Sequence, residues 1–110
     1  MSNRIVHFEL AGPDDEPLHR FYGELLRWRV EPRGPGYAQV ETPSGSPNGA
    51  IVAGAGPSLT FGVAVADLDA AVAEAERLGG TVVEPAADNG WVRKALVADP
   101  AGNRISLIER

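Results

Sequence analysis

The stretch VADPAGNRISLIE, residues 97–109, decides the fold. It predicts a strand, a tight turn and a second strand. Asp99-Pro100 and Gly102-Asn103 are typical of a turn, because proline fixes one backbone dihedral and glycine tolerates the left-handed conformation. The apolar residues on both sides favour strands. A weaker copy of this pattern, SPNGAIVA, occupies residues 46–53, which indicates that the chain contains the same unit twice.

A repeat with a constant spacing supports this interpretation. The tripeptide Val-Glu-Pro at residues 30–32 recurs at residues 83–85, which is an offset of 53 residues (83 − 30). We interpret the repeat as an internal duplication of a β-α-β-β-β unit. The same offset relates five further pairs of identical residues: Phe8 and Phe61, Asp14 and Asp67, Leu25 and Leu78, Pro47 and Pro100, Gly49 and Gly102.

The periodicity of the apolar residues predicts the elements of each half. Strands are predicted over residues 5–10, 28–32, 37–42 and 50–53, and again over 59–65, 81–84, 91–98 and 104–109. Helices are predicted over residues 16–26 and 68–78. His19 is expected in solvent, away from the apolar side of the first helix. That side is predicted to be one buried stripe of Leu18, Phe21, Tyr22, Leu25 and Leu26.

These elements predict an α+β fold of two tandem β-α-β-β-β modules with mixed sheets curled around a cleft. A chain of 110 residues is expected to form a single domain over residues 1–110. Its modules would cover about residues 4–54 and 59–110. Because a helix covers only one face of each sheet, we expect the two uncovered faces to line the cleft. Residues related by the repeat then approach its centre in pairs.

Composition excludes several classes of function. The chain has no cysteine, so thiol catalysis and thiolate metal sites are excluded. A net charge of −5 without a cluster of basic residues argues against a nucleic-acid partner. It would suit a cationic ligand. No apolar run has the length of a membrane span or the character of a signal peptide, so we expect a soluble, cytoplasmic protein without a membrane partner.

The first strand contributes two ionisable side chains to the predicted cleft. His7 and Glu9 alternate with apolar residues and therefore share one face of that strand. The offset of 53 relates His7 to Thr60, and Ala53 to Ser106. The small side chains at these positions leave space that a pure core would fill, which favours a small-molecule site.

Four stretches carry a resemblance to a known superfamily: VHFE at residues 6–9, FYGELLRW at 21–28, VADLDAAV at 65–72 and DPAGNRISLIE at 99–109. With them the chain resembles the vicinal oxygen chelate superfamily, which includes glyoxalase I, extradiol dioxygenases and the fosfomycin- and bleomycin-resistance proteins. Its length is most similar to that of small, single-domain glyoxalase-like members. The resemblance also implies a homodimer.

In metal-using members of the superfamily, each of four strands supplies one ligand. The resemblance carries these positions onto His7, Ala53, Thr60 and Ser106. Only His7 is an ordinary ligand, because alanine has no donor atom and neutral hydroxyl groups bind divalent metals poorly. Glu109 is predicted on the face opposite Ser106, so it does not replace the missing carboxylate. We therefore expect a site with no metal and no other cofactor.

Three kinds of function remain open at this point. The first is a binding module similar to the bleomycin-resistance branch, in which Trp28, Tyr37 and Trp91 would contact a flat cationic ligand by stacking. The second is a metal-independent lyase or isomerase with His7 and Glu9 as an acid–base pair. The third is an interaction protein without a small ligand. The predicted ligand-binding set is His7, Glu9, Ala53, Thr60, Ser106, Tyr37 and Trp91.

Overall fold

A computed structural model describes residues 3–110 of the chain. Its residues pack into two compact units, an amino-terminal unit of residues 6–60 and a carboxyl-terminal unit of residues 61–110 together with residues up to 5. Each unit runs strand, helix, strand, strand, strand. The predicted α+β class with duplicated β-α-β-β-β modules is confirmed. Within residues 3–110, neither helix is both long and apolar enough to cross a membrane.

The amino-terminal unit contains a mixed sheet and one helix. In chain order its elements are β1 (Ile5–Gly12), α1 (Glu16–Leu26), β2 (Arg29–Pro32), β3 (Tyr37–Glu41) and β4 (Asn48–Ala53). The strands lie in the order β2-β3-β4-β1. Neighbouring strands are antiparallel except for β1 and β4, which are parallel because α1 and two further strands intervene between them.

The core of this unit lies between the sheet and α1. Phe8, Ala38, Val40 and Ile51 are buried there, since alternation directs them to the same side of their strands. Trp28 packs into this core and stacks on Tyr22, with ring centroids 5.7 Å apart. The Trp28 ring is therefore part of the packing between sheet and helix, and its contact with a ligand stays a prediction.

The predicted buried stripe of α1 is wrong in part. Only Leu18 and Tyr22 pack against the core. Phe21 is 55% exposed and Leu25 is 63% exposed, and Leu26 is also exposed. The helix rests on the sheet along a narrow line, so two residues one turn apart are enough to fill the contact and their apolar neighbours lie on the helix flank.

The carboxyl-terminal unit repeats this arrangement. Its elements are β5 (Ser58–Val65), α2 (Leu68–Arg77), β6 (Thr81–Asp88), β7 (Arg93–Ala98) and β8 (Arg104–Glu109), with the strands in the order β5-β8-β7-β6. β5 and β8 are parallel, and the other neighbours are antiparallel. β6 is longer than the predicted strand over 81–84 and has two shifts of register against β7. The core residues are Val65, Leu68, Ala95, Val97 and Leu107.

Two carboxylates hold the amino-terminal end of α2. The Asp67 side chain accepts a hydrogen bond from the Ala70 amide at 3.1 Å, as an N-cap does. The Glu109 Oε2 atom, on the last strand, accepts one from the Leu68 amide at 2.9 Å. This position also places Glu109 on the helix-covered face, as alternation along β8 predicts.

The turn between β7 and β8 is the one that the opening stretch predicts. The Asp99 carboxylate accepts hydrogen bonds from the Ala101 and Asn103 amides and from the Asn103 side chain. These bonds, led by that of the Asn103 side chain, hold the pKa of Asp99 below its ordinary value. Gly102 occupies the left-handed region with φ at 100°, which explains the glycine at this position.

Candidate functional site

The uncovered face of the amino-terminal sheet carries His7 and Glu9. Both alternate along β1 with Phe8, which faces α1. Glu9 is paired with Ala50 of β4, which in turn is paired with Gln39 of β3. Side chains two residues apart on one strand are about 7 Å apart, so His7 and Glu9 are neighbours along β1.

Tyr37 lies on the same face. It is paired with Val52 of β4, and Val52 is paired with Ala11 of β1, two residues beyond Glu9. The Tyr37 side chain is half-buried. The structure therefore brings three predicted site residues, His7, Glu9 and Tyr37, onto one sheet surface.

A second carboxylate of this face is already neutralised. Glu31 of β2 contacts Arg29 at 2.7 Å and Arg33 at 2.9 Å. Arg33 also donates a hydrogen bond to the Gln39 side chain at 3.1 Å. In the part of the chain that the structure describes, Glu9 has no such basic partner. A cationic group of a ligand would therefore meet Glu9 rather than Glu31.

Ala53 does not lie on the face of His7 and Glu9. It is paired with Gly12, and a side chain at Gly12 would approach Leu18 of α1 at 3.3 Å. Ala53 thus belongs to the helix-covered side of the sheet. Its placement opposite Ser106 by a constant offset is wrong.

The reason is a change of spacing within the repeat. Phe8 is paired with Gly49, and Phe61 is paired with Ile105. The offset between the leading strands is 53, since 61 − 8 is 53, but between the closing strands it is 56, since 105 − 49 is 56. The second unit is three residues longer before its last strand. The counterpart of Ser106 is therefore Ala50, which does lie on the uncovered face.

The carboxyl-terminal sheet also has an uncovered face, on which Ser106 lies. Ser106 is paired with Gly62 of β5 and with Leu96 of β7. Thr60 and Gly62 are two residues apart on β5 and so share a side of that strand. Ser106 and Thr60 are both half-buried.

Trp91 lies in the connection between β6 and β7. Its side chain is 86% exposed. The Asn89 Oδ1 atom accepts hydrogen bonds from the Trp91 and Val92 amides, both at 3.0 Å, so the connection is ordered by one side chain. Trp91 therefore lies outside the strands of the sheet, including β8, which carries Ser106.

Sequence reasoning missed two polar residues of the uncovered faces. Gln39 is paired with Ala50, and Lys94 of β7 is paired with Ile108 of β8. Lys94 is half-buried and supplies a positive charge beside Ser106's strand. The signal was present, because Lys94 alternates with the buried Ala95 and Val97 inside a predicted strand.

His19 is less exposed than predicted. Its side chain is only 18% exposed, and its Nε2 atom lies 3.0 Å from Oδ2 of Asp15, one turn earlier. The geometry is not that of a hydrogen bond, so Nε2 has no hydrogen-bond partner in the described part of the chain. Both residues line a groove of about 580 Å³ between α1 and the β2–β3 hairpin, with Trp28 at its base.

The residues present do not fit the divalent metal that the superfamily implies. Within residues 3–110, no three His, Asp or Glu side chains lie close enough together to hold an ion. With the corrected register, the four ligand positions carry His7, Ala50, Thr60 and Ser106. This set offers one imidazole, two neutral hydroxyl groups and no carboxylate, whereas metals of this kind bind three or four nitrogen or oxygen donors.

Comparisons with known proteins agree with this architecture. A search of curated proteins found no match. Among solved structures, a methylmalonyl-CoA epimerase from Streptomyces coelicolor in complex with 2-nitronate-propionyl-CoA is similar, with a TM-score of 0.69 and 18% identity over 99% of this chain and 95% of that one. A glyoxalase/bleomycin resistance protein/dioxygenase superfamily member from Vibrio splendidus 12B01 has a TM-score of 0.73 and 14% identity, over 99% and 100%.

A third similar structure is the Mn(II)-bound glyoxalase from Novosphingobium aromaticivorans, with a TM-score of 0.74, 13% identity and coverage of 98% of this chain and 40% of that one. Identities this low establish a shared fold. The family model described as the glyoxalase-like domain matches residues 6–108. The chain therefore belongs to the glyoxalase-like domain family, within the vicinal oxygen chelate superfamily that its sequence resembles.

Proposed function

We propose that this chain binds a small organic molecule, without a metal, on the uncovered sheet face that carries His7, Glu9 and Tyr37. One observation carries the proposal: three side chains able to form directional contacts share a sheet face with the small residues Ala11 and Ala50. A face meant only for packing would carry large apolar residues instead. Thr60, Ser106 and Trp91 stay predicted members of the site.

We propose a site without a metal because its residues supply too few donor atoms to hold one. Mn(II) is bound in the similar glyoxalase named above, but here alanine and two neutral hydroxyl groups stand at three of the four positions. Restoring a metal site would require two carboxylates or imidazoles that the chain does not place there. No other cofactor is proposed.

The charges of this face favour a ligand with a cationic group. Glu9 is half-buried and has no basic partner among the described residues, while Tyr37 lies two strands away on the same face. A partly desolvated carboxylate and an aromatic ring on one face suit an organic ammonium group. Sequestration of a cationic drug, as in bleomycin-resistance proteins, is the form of binding that we propose.

A second candidate is a metal-independent lyase or isomerase. It is favoured by the pair His7 and Glu9 on one strand and by the epimerase fold among the similar structures. Here His7 would take a proton from one position of the substrate and the protonated carboxyl group of Glu9 would give one to another position, while Thr60 and Ser106 would orient a substrate oxygen. The epimerase is seen with a CoA ester, so such esters belong in the test.

Thermal unfolding against a ligand panel tests both candidates. The panel contains nickel, zinc and manganese salts, cationic antibiotics, small carbonyl compounds and acyl-CoA esters. A ligand at a hundred times its Kd adds about 2.7 kcal/mol of stability, or a rise of about ten degrees in a domain of this size. We expect a cationic compound to raise the midpoint and a metal alone to leave it unchanged.

Variants of the proposed site assign the effect to it. We expect Glu9→Gln to abolish the rise caused by a cationic ligand, and Glu76→Gln, on the exposed side of α2, to preserve it. His7→Ala should reduce affinity in a binding module but eliminate turnover in an enzyme. A midpoint that rises with a metal ion and loses the rise in His7→Ala would overturn the metal-free proposal.

We also propose that the protein is a homodimer and acts in the cytoplasm. The homodimer follows the resemblance to the superfamily, and a partner would cover part of the open sheet face around Glu9. Sedimentation equilibrium at micromolar concentration measures whether the protein is a dimer.

A further inference from the structure

We propose that the uncovered face of the carboxyl-terminal sheet binds an oxyanion, the phosphoryl or carboxyl group of a small organic molecule, at Lys94, Arg104 and Ser106. We call these three residues the anion site. The inference deepens the proposed function and rests on one part of it, namely that Ser106 belongs to the ligand site. The ligand then carries an oxyanion in addition to the cationic group proposed for Glu9.

The register of the strands places the anion site on one face of one unit. Ser106 of β8 is paired with Leu96 of β7, and Lys94 is two residues before Leu96. Arg104 is two residues before Ser106 on β8. All three alternate with the core residues under α2 and therefore lie on the other face. Lys94, on the diagonal, and Arg104, along the strand, are each about 7–8 Å from Ser106, which long side chains can span.

Lys94 is an unusual cation in this chain. It is the only lysine among the ten basic residues. It is half-buried, and in the part of the chain that the structure describes no carboxylate lies within ion-pair distance of it. Its neighbour Arg93, on the opposite side of β7, is paired with both Asp69 and Glu109. A partly desolvated ammonium group without a counter-ion attracts an anion more strongly than an exposed one does.

The rest of the anion site supplies further donors and free space. Arg104 is exposed and has no ion pair among residues 3–110, and the Ser106 hydroxyl forms no hydrogen bond with them. Gly62, which is paired with Ser106, has no side chain to cover that hydroxyl. An ammonium group, a guanidinium fork and a hydroxyl group are the donors with which proteins hold phosphate and carboxylate oxygens.

Among the described residues, one carboxylate shares this face, and it lies farther from Ser106 than either cation does. Glu84 of β6 is paired with Leu96 of β7, so one whole strand separates it from β8. Two strand spacings are about 10 Å. Glu84 is exposed and forms no ion pair with Lys94. The surroundings of Ser106 are therefore positive in a chain whose net charge is −5, which favours an anion there.

Titration followed by ¹H–¹⁵N NMR at constant ionic strength tests the anion site. Methylphosphonate and acetate are the probes, and dimethyl methylphosphonate, a neutral ester, is the control ligand. We expect both anions to shift the amide signals of Gly62 and Ser106, and the tighter of the two identifies the preferred oxyanion. The neutral ester should leave these signals unchanged. No shift with either anion would overturn the inference.

Variants assign the effect to the charge of Lys94. Lys94→Met keeps an apolar stem and removes the charge, so we expect about a tenfold rise in the anion Kd, with a fold that circular dichroism shows to be unchanged. Lys94→Arg keeps the charge and should stay within about threefold of the wild type. Arg77→Met is the matched control, because Arg77 is exposed on α2, and it should bind the anions as the wild type does. A loss in Lys94→Arg as large as in Lys94→Met would contradict a role for the charge.

Acetylation of the single lysine provides a second measurement on the unaltered chain. Peptide mass spectrometry follows the reaction of Lys94 with acetic anhydride, and the amino-terminal amine of the same chain is the internal reference. Methylphosphonate at ten times its Kd should slow acetylation of Lys94 about tenfold, since about one-tenth of the sites stay free. The reference should react at an unchanged rate. Equal rates at Lys94 with and without the anion would mean that the anion binds elsewhere.

The outcomes separate the anion site from the proposed function. If Glu9→Gln abolishes the binding of a cationic ligand but neither anion binds, the proposed function stands and the anion site is overturned. If the anions bind with the expected dependence on Lys94 but no compound of the panel depends on Glu9, the anion site stands and the cationic ligand is overturned.

Discussion

At the scale of single residues, Gly49 illustrates how the sheet depends on the absence of a side chain. A Cβ atom at this position would lie 2.5 Å from the carbonyl oxygen of Phe8 and 2.7 Å from its ring. Neither group is free to move, since the oxygen belongs to β1 and the ring is buried in the core. We therefore predict that Gly49→Ala destabilises the protein by about 1–3 kcal/mol, as overpacked core sites do.

Urea denaturation of Gly49→Ala measures this effect. Gly56→Ala is the control, because no atom lies within 4 Å of a Cβ at Gly56 and its backbone does not require glycine. The control should unfold at the same midpoint as the wild type or slightly above it. Equal midpoints for both variants would show that β1 moves away from β4 without cost.

The location of each predicted site residue shows what sequence reasoning can resolve at this scale. Alternation correctly places His7 and Glu9 on one face, because strand geometry has a strict period of two. Ala53 lies on the other face because the second repeat is three residues longer before its last strand, and an odd insertion reverses the side of a strand to which a residue points. The identical residues of β1 and β5 precede that insertion, so they do not reveal it.

At the scale of the elements, α2 is fixed by residues distant in sequence. The Leu68 amide donates to Glu109 over 41 residues, and Arg93 joins Glu109 to Asp69, with 3.0 Å between Arg93 Nη2 and Asp69 Oδ1. The hydrogen bond to Asp69, with further help from Glu109, raises the pKa of Arg93 above its ordinary value. A carboxylate at a helix amino terminus also interacts favourably with the helix dipole.

We therefore predict that Glu109→Ala lowers the free energy of unfolding by about 1–2 kcal/mol, the range of a charge-assisted hydrogen bond whose donor is left partly buried. Glu109→Gln keeps an acceptor and should cost less than half as much. The comparison is made by chemical denaturation at neutral pH, with Glu76→Ala as an exposed carboxylate that makes no such bond. A loss in Glu76→Ala equal to that in Glu109→Ala would contradict a specific role for Glu109.

The sequence predicts the bounds of α1 better than it predicts the buried side of this helix. The bounds of α1 agree with the predicted residues 16–26, because Pro17 and the acidic residues before it are typical of a helix start. The sequence overestimates the buried side of α1. A hydrophobic stripe shows which residues avoid water, but it does not show how wide a surface is available to cover them. That excess of apolar surface is what leaves Phe21 and Leu25 exposed.

At the scale of the whole molecule, stability is divided between two cores of similar construction. Ile51 in the amino-terminal unit and Leu68 in the carboxyl-terminal unit are both completely buried. The sequence predicts that such cores exist, because the duplicated pattern places an apolar face under each helix. It does not predict which residue becomes most buried, because that depends on how the strands pair.

We predict that Ile51→Ala and Leu68→Ala each lower the free energy of unfolding by about 2–5 kcal/mol, through lost burial and a cavity that the neighbours do not fill. This is a large part of the about 5–15 kcal/mol that stabilises an ordinary domain. Leu78→Ala removes as many atoms as Leu68→Ala from an exposed site and should change stability by about 0.5 kcal/mol at most. Guanidinium unfolding followed by far-ultraviolet circular dichroism gives all three values. A cost below 1 kcal/mol for either buried site would mean that its core closes around the cavity, and would contradict tight packing of that unit.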